Sequence, residues 1–454
     1  MDEKENVFLP DSERNGKAKE LFFIWAAANI GIMGVVYGAI IVSFQLSFLQ
    51  SLLAAAAGAL SFALVGYLSL AGRDSGATTF VLSRAAFGVK GNYIPTLMGW
   101  INLVGWLAVN VVTGTLVLLS LFAAIGAGQG QWMTLISLAI FTAFIVVSGV
   151  FGQDVLVKIQ TFFTVVFGGL TLLVLLILIP ETDWNALISM VNGDWLAGFL
   201  PAVSIIMAGT GISWSIAAAD YSRFQHPGNS AKSIITYVTL GAFIPLFVIM
   251  GVGVLMSTSV PELATSANPI EVIREVLPGW MTVPYYITAM GGLIPQCIIS
   301  LKSARVNLET LNIRVKQSTA VAIHALIMIA IPLYVLFISE DFLGNFQTFL
   351  GLLGIGMAAW AATFLVDYVR IRKHAGYDER LLADRAFHPY NYKGILSWAV
   401  GVIIGFLFTN SPFFNGPFAK GIFQDNSLGV LLAFVVSAVI YYVTVSAASS
   451  EKTS

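Results

Sequence analysis

A few aromatic and amide side chains stand out within the long apolar stretches of this sequence. Trp106 and Asn110 are four residues apart, so a helix would place both on one face. Trp214 follows two closely spaced glycines, and Gln296 follows Pro295. Aromatic faces stack on flat rings, contributing about 1–3 kcal/mol per base in nucleic-acid binders. Because an amide offers both a donor and an acceptor, these residue types predict a site for a flat, polar heterocycle.

The same residue types also have a purely structural interpretation in membrane proteins. Tryptophans form belts at membrane interfaces, and amides join neighbouring helices through hydrogen bonds. Trp100 and Trp280 fit this interpretation better, because they lie nearer the ends of their apolar runs. For the four candidates above, composition alone leaves both interpretations open.

The composition is that of a polytopic membrane protein. Of 454 residues, 57% are hydrophobic and 10% are charged, whereas soluble domains carry roughly 25% charged residues. This composition therefore argues against a soluble enzyme, a nucleic-acid binder and a disordered protein. The single cysteine, Cys297, excludes a disulfide framework and a cysteine-ligated zinc site. The sequence has no HExxH, phosphate-loop or GxGxxG motif, so we expect neither catalysis nor a metal or other cofactor.

Long apolar runs predict twelve transmembrane helices. These predicted spans cover residues 21–46, 49–72, 92–125, 131–151, 159–180, 196–221, 233–257, 280–301, 318–338, 344–369, 395–410 and 427–448. With the N-terminus in the cytoplasm, only Arg274 and Lys420 of the 23 basic residues lie outside. Loops rich in basic residues thus alternate with loops that contain almost none. A missing or extra span would destroy this alternation, so the positive-inside rule supports both the number of spans and their orientation.

Two predicted spans carry interruptions in corresponding places. Asn29, Gly31 and Gly34 lie near the middle of span 1, and Gly209 and Gly211 near the middle of span 6. Broken helices expose backbone groups that bind solutes at the membrane midplane, although small residues also permit close helix packing. The two spans are five apart. A repeat of five helices, an odd number, would place its second copy in the membrane with the opposite orientation.

This arrangement predicts five segments of chain. They are a cytoplasmic N-terminal tail at 1–20, a first five-helix repeat at 21–181, a second, inverted repeat at 196–373, two additional transmembrane helices at 395–448, and a cytoplasmic C-terminal tail at 449–454. The predicted fold class is therefore an all-α membrane protein with inverted repeats.

Charges within the predicted spans are few, and such charges are usually functional. Asp220 and Arg223, at the cytoplasmic end of span 6, form a gating or charge cluster in which the two could pair. Asp367 and Arg370 are placed similarly at the end of span 10. An interfacial cluster is the more ordinary interpretation of both, and His324 on span 9 is expected to be packed or hydrogen-bonded. A substrate of this core should be neutral.

Four segments together carry a family resemblance: FFIWAAANIGIMGVVYGA, SRAAFGVKGN, GWLAVNVVTG and ISWSIAAADYSRF. They resemble the nucleobase:cation symporter-1 family, and most closely its purine–cytosine permease branch. The resemblance implies the LeuT-type fold of five plus five helices with two extra C-terminal helices. It also implies uptake of nucleobases or related heterocycles by alternating access.

The resemblance gives individual residues a function in binding. Trp106 resembles the stacking aromatic of span 3, and Asn110 resembles its hydrogen-bonding neighbour. Gln296 falls where the branch commonly has an asparagine that binds substrate. Trp214 resembles an aromatic near the span-6 break, although the stacking position of some members aligns with Gly211 instead.

Two further amides are candidates for the polar edge of the substrate, Asn29 and Gln160. Gln160 falls where some fungal relatives carry a glutamate, so span 5 lacks the obvious titratable group. Sodium-dependent members use span-1 carbonyls and span-8 hydroxyls, where this chain has Met-Gly-Gly at 290–292 and Thr288 as the nearest hydroxyl. Because a hard cation takes several oxygen ligands, we expect proton rather than sodium coupling.

The resulting hypothesis is a secondary active transporter of the plasma membrane that imports a purine or pyrimidine base, with a proton as the favoured coupling ion. Its partners are a small heterocycle, the coupling ion and the lipid bilayer, without nucleic acid. The alternatives are uptake of allantoin, hydantoin or a vitamin-like pyrimidine, and sodium-coupled uptake of a base. A channel or a transport-derived sensor represents a different class.

Overall fold

The computed structural model describes residues 7–266, 268–313, 316–338, 341–421 and 428–450. The remaining residues belong to both predicted tails, the predicted second repeat and the predicted two additional helices, so these four segments are described only in part.

Helices account for nearly all of the regular structure. The first group is α1 (Ala18–Ala27), α2 (Gly34–Ser43), α3 (Phe48–Leu60), α4 (Phe62–Ser75), α5 (Thr79–Phe87), α6 (Tyr93–Ala124), α7 (Gln131–Gly149) and α8 (Gln153–Leu178). The second group is α9 (Trp184–Ile188), α10 (Leu200–Met207), α11 (Ser213–Ser215), α12 (Ala218–Ser222), α13 (Ala231–Met256), α14 (Pro269–Val276), α15 (Thr282–Thr310) and α16 (Gln317–Phe337). The third group is α17 (Asp341–Asp367), α18 (Lys373–Ala375), α19 (Glu379–Ala383), α20 (Tyr392–Leu407) and α21 (Gly429–Ser450).

Tighter and wider helical turns interrupt or extend these helices. The 3₁₀ turns are Asp11–Glu13, Ile179–Glu181, Pro261–Ala264 and Gly279–Met281, and the π-helical turns are Trp195–Phe199, Ala208–Ile212 and Tyr368–Arg372. The strands β1 (Asn410–Ser411) and β2 (Phe414–Asn415) pair antiparallel in a small hairpin between α20 and α21.

Among the described residues, nine helical stretches are long and apolar enough to cross a membrane. They are Phe48–Ser75, Tyr93–Ala124, Gln131–Gly149, Gln153–Glu181, Trp195–Ser215, Ala231–Met256, Ser318–Phe337, Thr348–Ala375 and Gly429–Ser446. Each coincides with a predicted span. Predicted span 1 is divided between α1 and α2, span 8 corresponds to α15, and span 11 corresponds to the 16-residue α20. Spans 1, 8 and 11 are not among the nine described stretches that are long and apolar enough to cross a membrane. The count of twelve transmembrane helices therefore stays a prediction.

The loops rich in basic residues meet at one end of the helix bundle, which we call the basic end. Arg73, after α4, donates a hydrogen bond to the Asn229 carbonyl oxygen before α13, at 2.7 Å. Arg84 on α5 donates to the carbonyl oxygens of Leu382 at 2.8 Å and Thr310 at 2.6 Å. Loops that are distant in sequence are thereby joined, as the alternation of charge along the chain requires.

The expected interruption of span 1 is present. α1 ends at Ala27 and α2 begins at Gly34, and residues 28–33 between them are not helical. In this break Gly31 lies against Gly292 of α15, so closely that a Cβ atom on Gly292 would lie 2.7 Å from the Gly31 Cα atom. Only Gly292 requires the absence of a side chain here, because a Cβ atom on Gly31 would lie 3.4 Å from the Gly292 carbonyl oxygen, an ordinary contact distance.

Span 6 differs from the sequence-based expectation in the position of its break. Gly209 and Gly211 lie in the π-helical turn Ala208–Ile212, which widens the helix without unwinding it. The non-helical step comes later, at residues 216–217 between α11 and α12. Gly211 instead permits close packing, since its added Cβ would lie 2.4 Å from the backbone carbonyl of Ser61, at the junction of α3 and α4.

Candidate functional site

One face of α6 carries two amides and a tryptophan. Asn102, Trp106 and Asn110 repeat at intervals of four residues, so they lie along one face. The Asn102 Nδ2 atom donates a hydrogen bond to Ser213 Oγ at 3.3 Å. This contact joins the Asn102 end of that face to span 6. Sequence analysis missed Asn102, although extending the same four-residue spacing by one turn would have found it.

The candidate residues on this face retain unused binding groups. Trp106 is half-buried. Asn110 is 8% exposed, and its Nδ2 atom has no hydrogen-bond partner within the described parts of the chain. Leaving a buried donor unpaired costs about 1–3 kcal/mol. A ligand that accepts a hydrogen bond there would recover this energy.

The two candidate glutamines lie around Pro295 of α15. The Gln160 side chain on α8 is fully buried, and its Nε2 atom donates to the Pro295 carbonyl oxygen at 3.2 Å. Its Oε1 atom has no partner in the portion of the chain that is described. Gln296, the next residue, is half-buried. Because a proline has no N–H, the Gly291 carbonyl loses its helical donor, which adds an acceptor to this region.

Asn29 lies within the break of span 1, two residues after the end of α1. Its Nδ2 atom donates to the Trp25 carbonyl oxygen at 2.8 Å, which occupies part of the amide. The carbonyl oxygen of Ile30 accepts a hydrogen bond from Thr171 Oγ1 on α8 at 3.3 Å. Part of the backbone polarity that the break exposes is therefore satisfied within the protein.

The two span-6 candidates are engaged in packing. Trp214 is 7% exposed, and its ring meets that of Trp25 edge-on, with centroids 5.6 Å apart. Gly211 is buried, and its N–H donates to Ser61 Oγ at 3.1 Å. The structural interpretation has direct support at both positions. A contribution of Trp214 and Gly211 to binding stays a proposal.

Asp220 and Arg223 do not pair with each other. Asp220 Oδ1 accepts two hydrogen bonds from Thr79, one from its backbone N–H and one from its hydroxyl, both at 2.9 Å. The Arg223 guanidinium lies over the ring of Phe224, 4.8 Å from its centroid. Thr79 begins α5, and a carboxylate is favoured at a helix N-terminus. Asp220 therefore docks α5 onto span 6 instead of neutralising its neighbour in sequence.

Asp367 and Arg370, the second expected pair, also contact other residues instead of each other. Asp367 forms an ion pair with Arg372 at 3.3 Å and accepts a hydrogen bond from the Tyr441 hydroxyl at 2.8 Å. Arg370 lies over a tyrosine ring of α21, 4.8 Å from its centroid. The chain is π-helical directly after Asp367, and π-helical spacing brings residues five apart onto one face.

The expectation of a hydrogen-bonded histidine is confirmed. His324 is fully buried, its Nδ1 atom is 2.7 Å from the Ala320 carbonyl oxygen, and its Nε2 atom accepts from Trp100 Nε1 at 3.1 Å. Trp280 is 67% exposed, as expected for an interfacial tryptophan. Cys297 is a buried free thiol.

These features define a class of protein. A bundle of apolar helices, an interrupted first span and polar groups beside that interruption are typical of secondary transporters, which bind solutes between discontinuous helices. The chain belongs to the family of permeases for cytosine/purines, uracil, thiamine and allantoin, whose family model matches residues 8–436. It is thus a multi-pass membrane protein of a family that transports nucleobase-like substrates, and not an enzyme.

Two curated relatives match nearly the whole chain. A putative purine-cytosine permease of Bacillus subtilis, YxlA, is 26% identical over 456 residues, covering 96% of this chain and 94% of its own length. The purine-cytosine permease fcyB of Emericella nidulans is 23% identical over 443 residues, covering 92% of this chain and 83% of its own. Both similarities agree with the branch indicated by the sequence motifs.

Solved structures share the fold at low sequence identity. Mhp1, a nucleobase-cation-symport-1 family transporter, in a closed conformation with bromovinylhydantoin bound, has a TM-score of 0.75 at 18% identity, covering 97% of this chain and 94% of that one. Its inward-facing conformation has a TM-score of 0.70 at 20% identity, covering 98% and 96%. A Na⁺-coupled sialic acid symporter has a TM-score of 0.53 at 12% identity, covering 94% and 98%. The expected LeuT-type fold is confirmed, while the segment boundaries drawn from the sequence stay predictions.

Proposed function

We propose that this chain imports a purine or pyrimidine base across the plasma membrane by alternating access, with both termini in the cytoplasm. The observation that carries the proposal is the Asn110 Nδ2 atom, which lacks a partner among the described residues and lies on the face of α6 that also bears Trp106. A flat ring stacked on Trp106 would present its polar edge to that amide. Gln296 would supply a second amide from α15.

The remaining candidates complete the proposed site in different ways. Asn29 and the Oε1 atom of Gln160 would contact the polar edge, since each lies beside the break or beside Pro295. Trp214 and Gly211 would form the wall opposite α6. None of these side chains carries a charge, which supports a neutral substrate.

The decisive experiment is uptake of labelled cytosine, adenine, guanine and hypoxanthine by cells that lack their own permeases. We expect saturable accumulation of at least one base, because the site offers stacking and hydrogen bonding together. An Asn110→Ala variant present in the membrane in equal amount provides the matched control. If the normal chain accumulates none of the four bases, the proposal is refuted.

A related substrate class is a second candidate. The family description includes thiamine and allantoin, and a structural neighbour holds a hydantoin. Allantoin, hydantoin and vitamin-like pyrimidines present the same flat shape and polar edge to a stacking and amide site. Competition by these compounds against one labelled base separates the two candidates, since the true substrate competes at the lowest concentration.

We favour proton coupling over sodium coupling for the proposed transport. Where the span-1 break meets α15, the Gly31–Gly292 contact contains no side-chain oxygen. The span-8 hydroxyl nearest to it in sequence, Thr288 Oγ1, already donates to the Pro284 carbonyl oxygen at 2.8 Å. A hard cation takes several oxygen ligands. Uptake that survives removal of sodium and collapses with a protonophore would support this preference, and strict dependence on sodium would refute it.

A further inference from the structure

A cavity of about 880 Å³ lies at the basic end of the bundle, apart from the candidate substrate site. Its walls are formed by the end of α4, the beginning of α13, the segment that follows α17, and Phe8 of the N-terminal segment. The volume is within the range of about 300–1,000 Å³ that is usual for small-molecule sites. The substrate proposal leaves this cavity without a function.

Two arginines at the cavity have acidic partners. Arg73 Nε donates to Asp74 Oδ1 at 2.7 Å, and Arg372 is paired with Asp367 at 3.3 Å. The other oxygen of Asp74 accepts a hydrogen bond from the Tyr368 hydroxyl at 2.6 Å. These carboxylates therefore balance the arginines and leave no negative charge over.

Two lysines at the cavity remain without acidic partners. Lys232 at the beginning of α13 and Lys373 at the beginning of α18 line the cavity, are exposed, and form no ion pair with any residue in the described ranges. The Tyr377 hydroxyl in the same wall is buried and lacks a hydrogen-bond partner among the described residues. The cavity thus combines two unbalanced positive charges with an unused hydroxyl donor.

Part of the remaining wall is apolar, beside the hydroxyl groups of Ser75 and Thr236. Leu70 and Ile235 line it from α4 and α13, and Phe8 covers it from the N-terminal segment. Tyr67 on α4 also lines it and is 46% exposed, so the apolar wall continues onto the outer surface of the bundle. An anion that fits this cavity would therefore have a charged head and an apolar remainder.

We propose that this cavity binds a phosphate group, held by Lys232 and Lys373 and hydrogen-bonded by the Tyr377 hydroxyl. The apolar wall favours the phosphate of an anionic lipid headgroup over a free phosphate ion. Basic pockets between membrane helices bind anionic headgroups in other proteins. The bound group would join α4, from the first half of the chain, to α13 and α18 of the second half.

The test uses the purified full-length chain in neutral detergent. Melting is followed while phosphatidylglycerol or, as the neutral comparison, phosphatidylcholine is added. A separate arm compares inorganic phosphate with chloride at equal ionic strength. We expect a saturable rise in melting temperature with phosphatidylglycerol, and no such rise with phosphatidylcholine.

Substitutions then locate the effect. Because a juxtamembrane lysine contributes about 1 kcal/mol to anionic lipid binding, a Lys232→Gln/Lys373→Gln double variant should need about 25-fold more lipid for half-saturation. Its melting temperature without lipid should equal that of the unsubstituted chain, since both lysines are exposed and unpaired. The matched control is Lys158→Gln, an exposed lysine near the basic end that lies outside the cavity.

The outcomes distinguish the source of the phosphate. Saturable stabilisation by phosphatidylglycerol that is lost in the double variant supports the proposal with a lipid ligand. The same result with inorganic phosphate alone supports it with a soluble ligand. Absence of saturable stabilisation in both arms, or an equal loss in Lys158→Gln, overturns the proposal.

Discussion

The face of α6 that bears Trp106 and Asn110 and the middle of span 6 contain similar residue types, yet the fold uses them differently. In span 6 the Trp214 ring packs edge-on against Trp25, and Gly211 lies against Ser61. On α6 the amide of Asn110 is buried without a partner in the described structure. This difference supports the proposal that Asn110 binds substrate, whereas residue type alone does not separate it from the residues that pack in span 6.

The largest effect should follow from removing the packing tryptophan. Replacing Trp214 by alanine removes a buried ring from the core, which should lower the free energy of unfolding by about 3–5 kcal/mol. Melting of the purified protein measures this, with Trp280→Ala as the exposed control. A Trp214→Ala variant with normal melting and no substrate binding would show that the ring serves only the proposed site and does not stabilise the fold.

The tryptophan of α6 should behave in the opposite way. Replacing Trp106 by alanine should weaken base binding by about 1–3 kcal/mol, or roughly 5- to 150-fold, because the stacking surface is lost. Melting without substrate should change less than in Trp214→Ala. Binding is measured by titration with the transported base. Equal binding by Trp106→Ala and Trp280→Ala would contradict stacking on Trp106.

At the glycine contact of span 6 we expect a smaller loss of stability than in Trp214→Ala. Gly211→Ala would force a Cβ atom into the Ser61 backbone and should lower the free energy of unfolding by about 1–3 kcal/mol. Gly169→Ala in α8 is the matched control, because nothing lies within 4 Å of its added Cβ atom. Comparative melting of the two variants tests this, and equal melting would show that the Ser61 contact yields without cost.

The smallest effect should follow from removing the unpaired amide. Asn110→Ala should weaken base binding by about 0.5–1.5 kcal/mol, or roughly 2- to 12-fold, while stability is retained or raised. Asn102→Ala makes the contrast, since it loses the hydrogen bond to Ser213 and should lower stability instead. Paired titration and melting of both variants would show whether the two amides differ as their partners do.

The features that could be predicted depend on the local residue pattern or on the distribution of charge along the chain. The interruption of span 1 follows from Asn29, Gly31 and Gly34, and it occurs at residues 28–33. The meeting of the basic loops follows from the alternation of lysines and arginines along the chain. The first depends on one segment and the second on the distribution of charge along the chain, so neither required knowledge of tertiary partners.

The features that could not be predicted depend on partners distant in sequence. Asp220 binds Thr79, which lies 141 residues away, and nothing near Asp220 indicates that a helix begins beside it. The pairing of Asp367 with Arg372 depends on a local π-helical turn, whereas the expectation assumed ordinary α-helical spacing. The binding functions of the site residues stay predictions, which the titrations of the variants described above test.

The contact between Gly31 and Gly292 has a consequence for the rate of transport. If α15 shifts against span 1 during the transport cycle, neither residue at this contact has a rotamer to reset, so their sliding loses no side-chain entropy. A methyl group on Gly292 would add a steric step that each turnover must cross, because it would lie 2.7 Å from the Gly31 Cα atom. We therefore expect this contact to govern how fast the carrier reorients, separately from how tightly it holds its cargo.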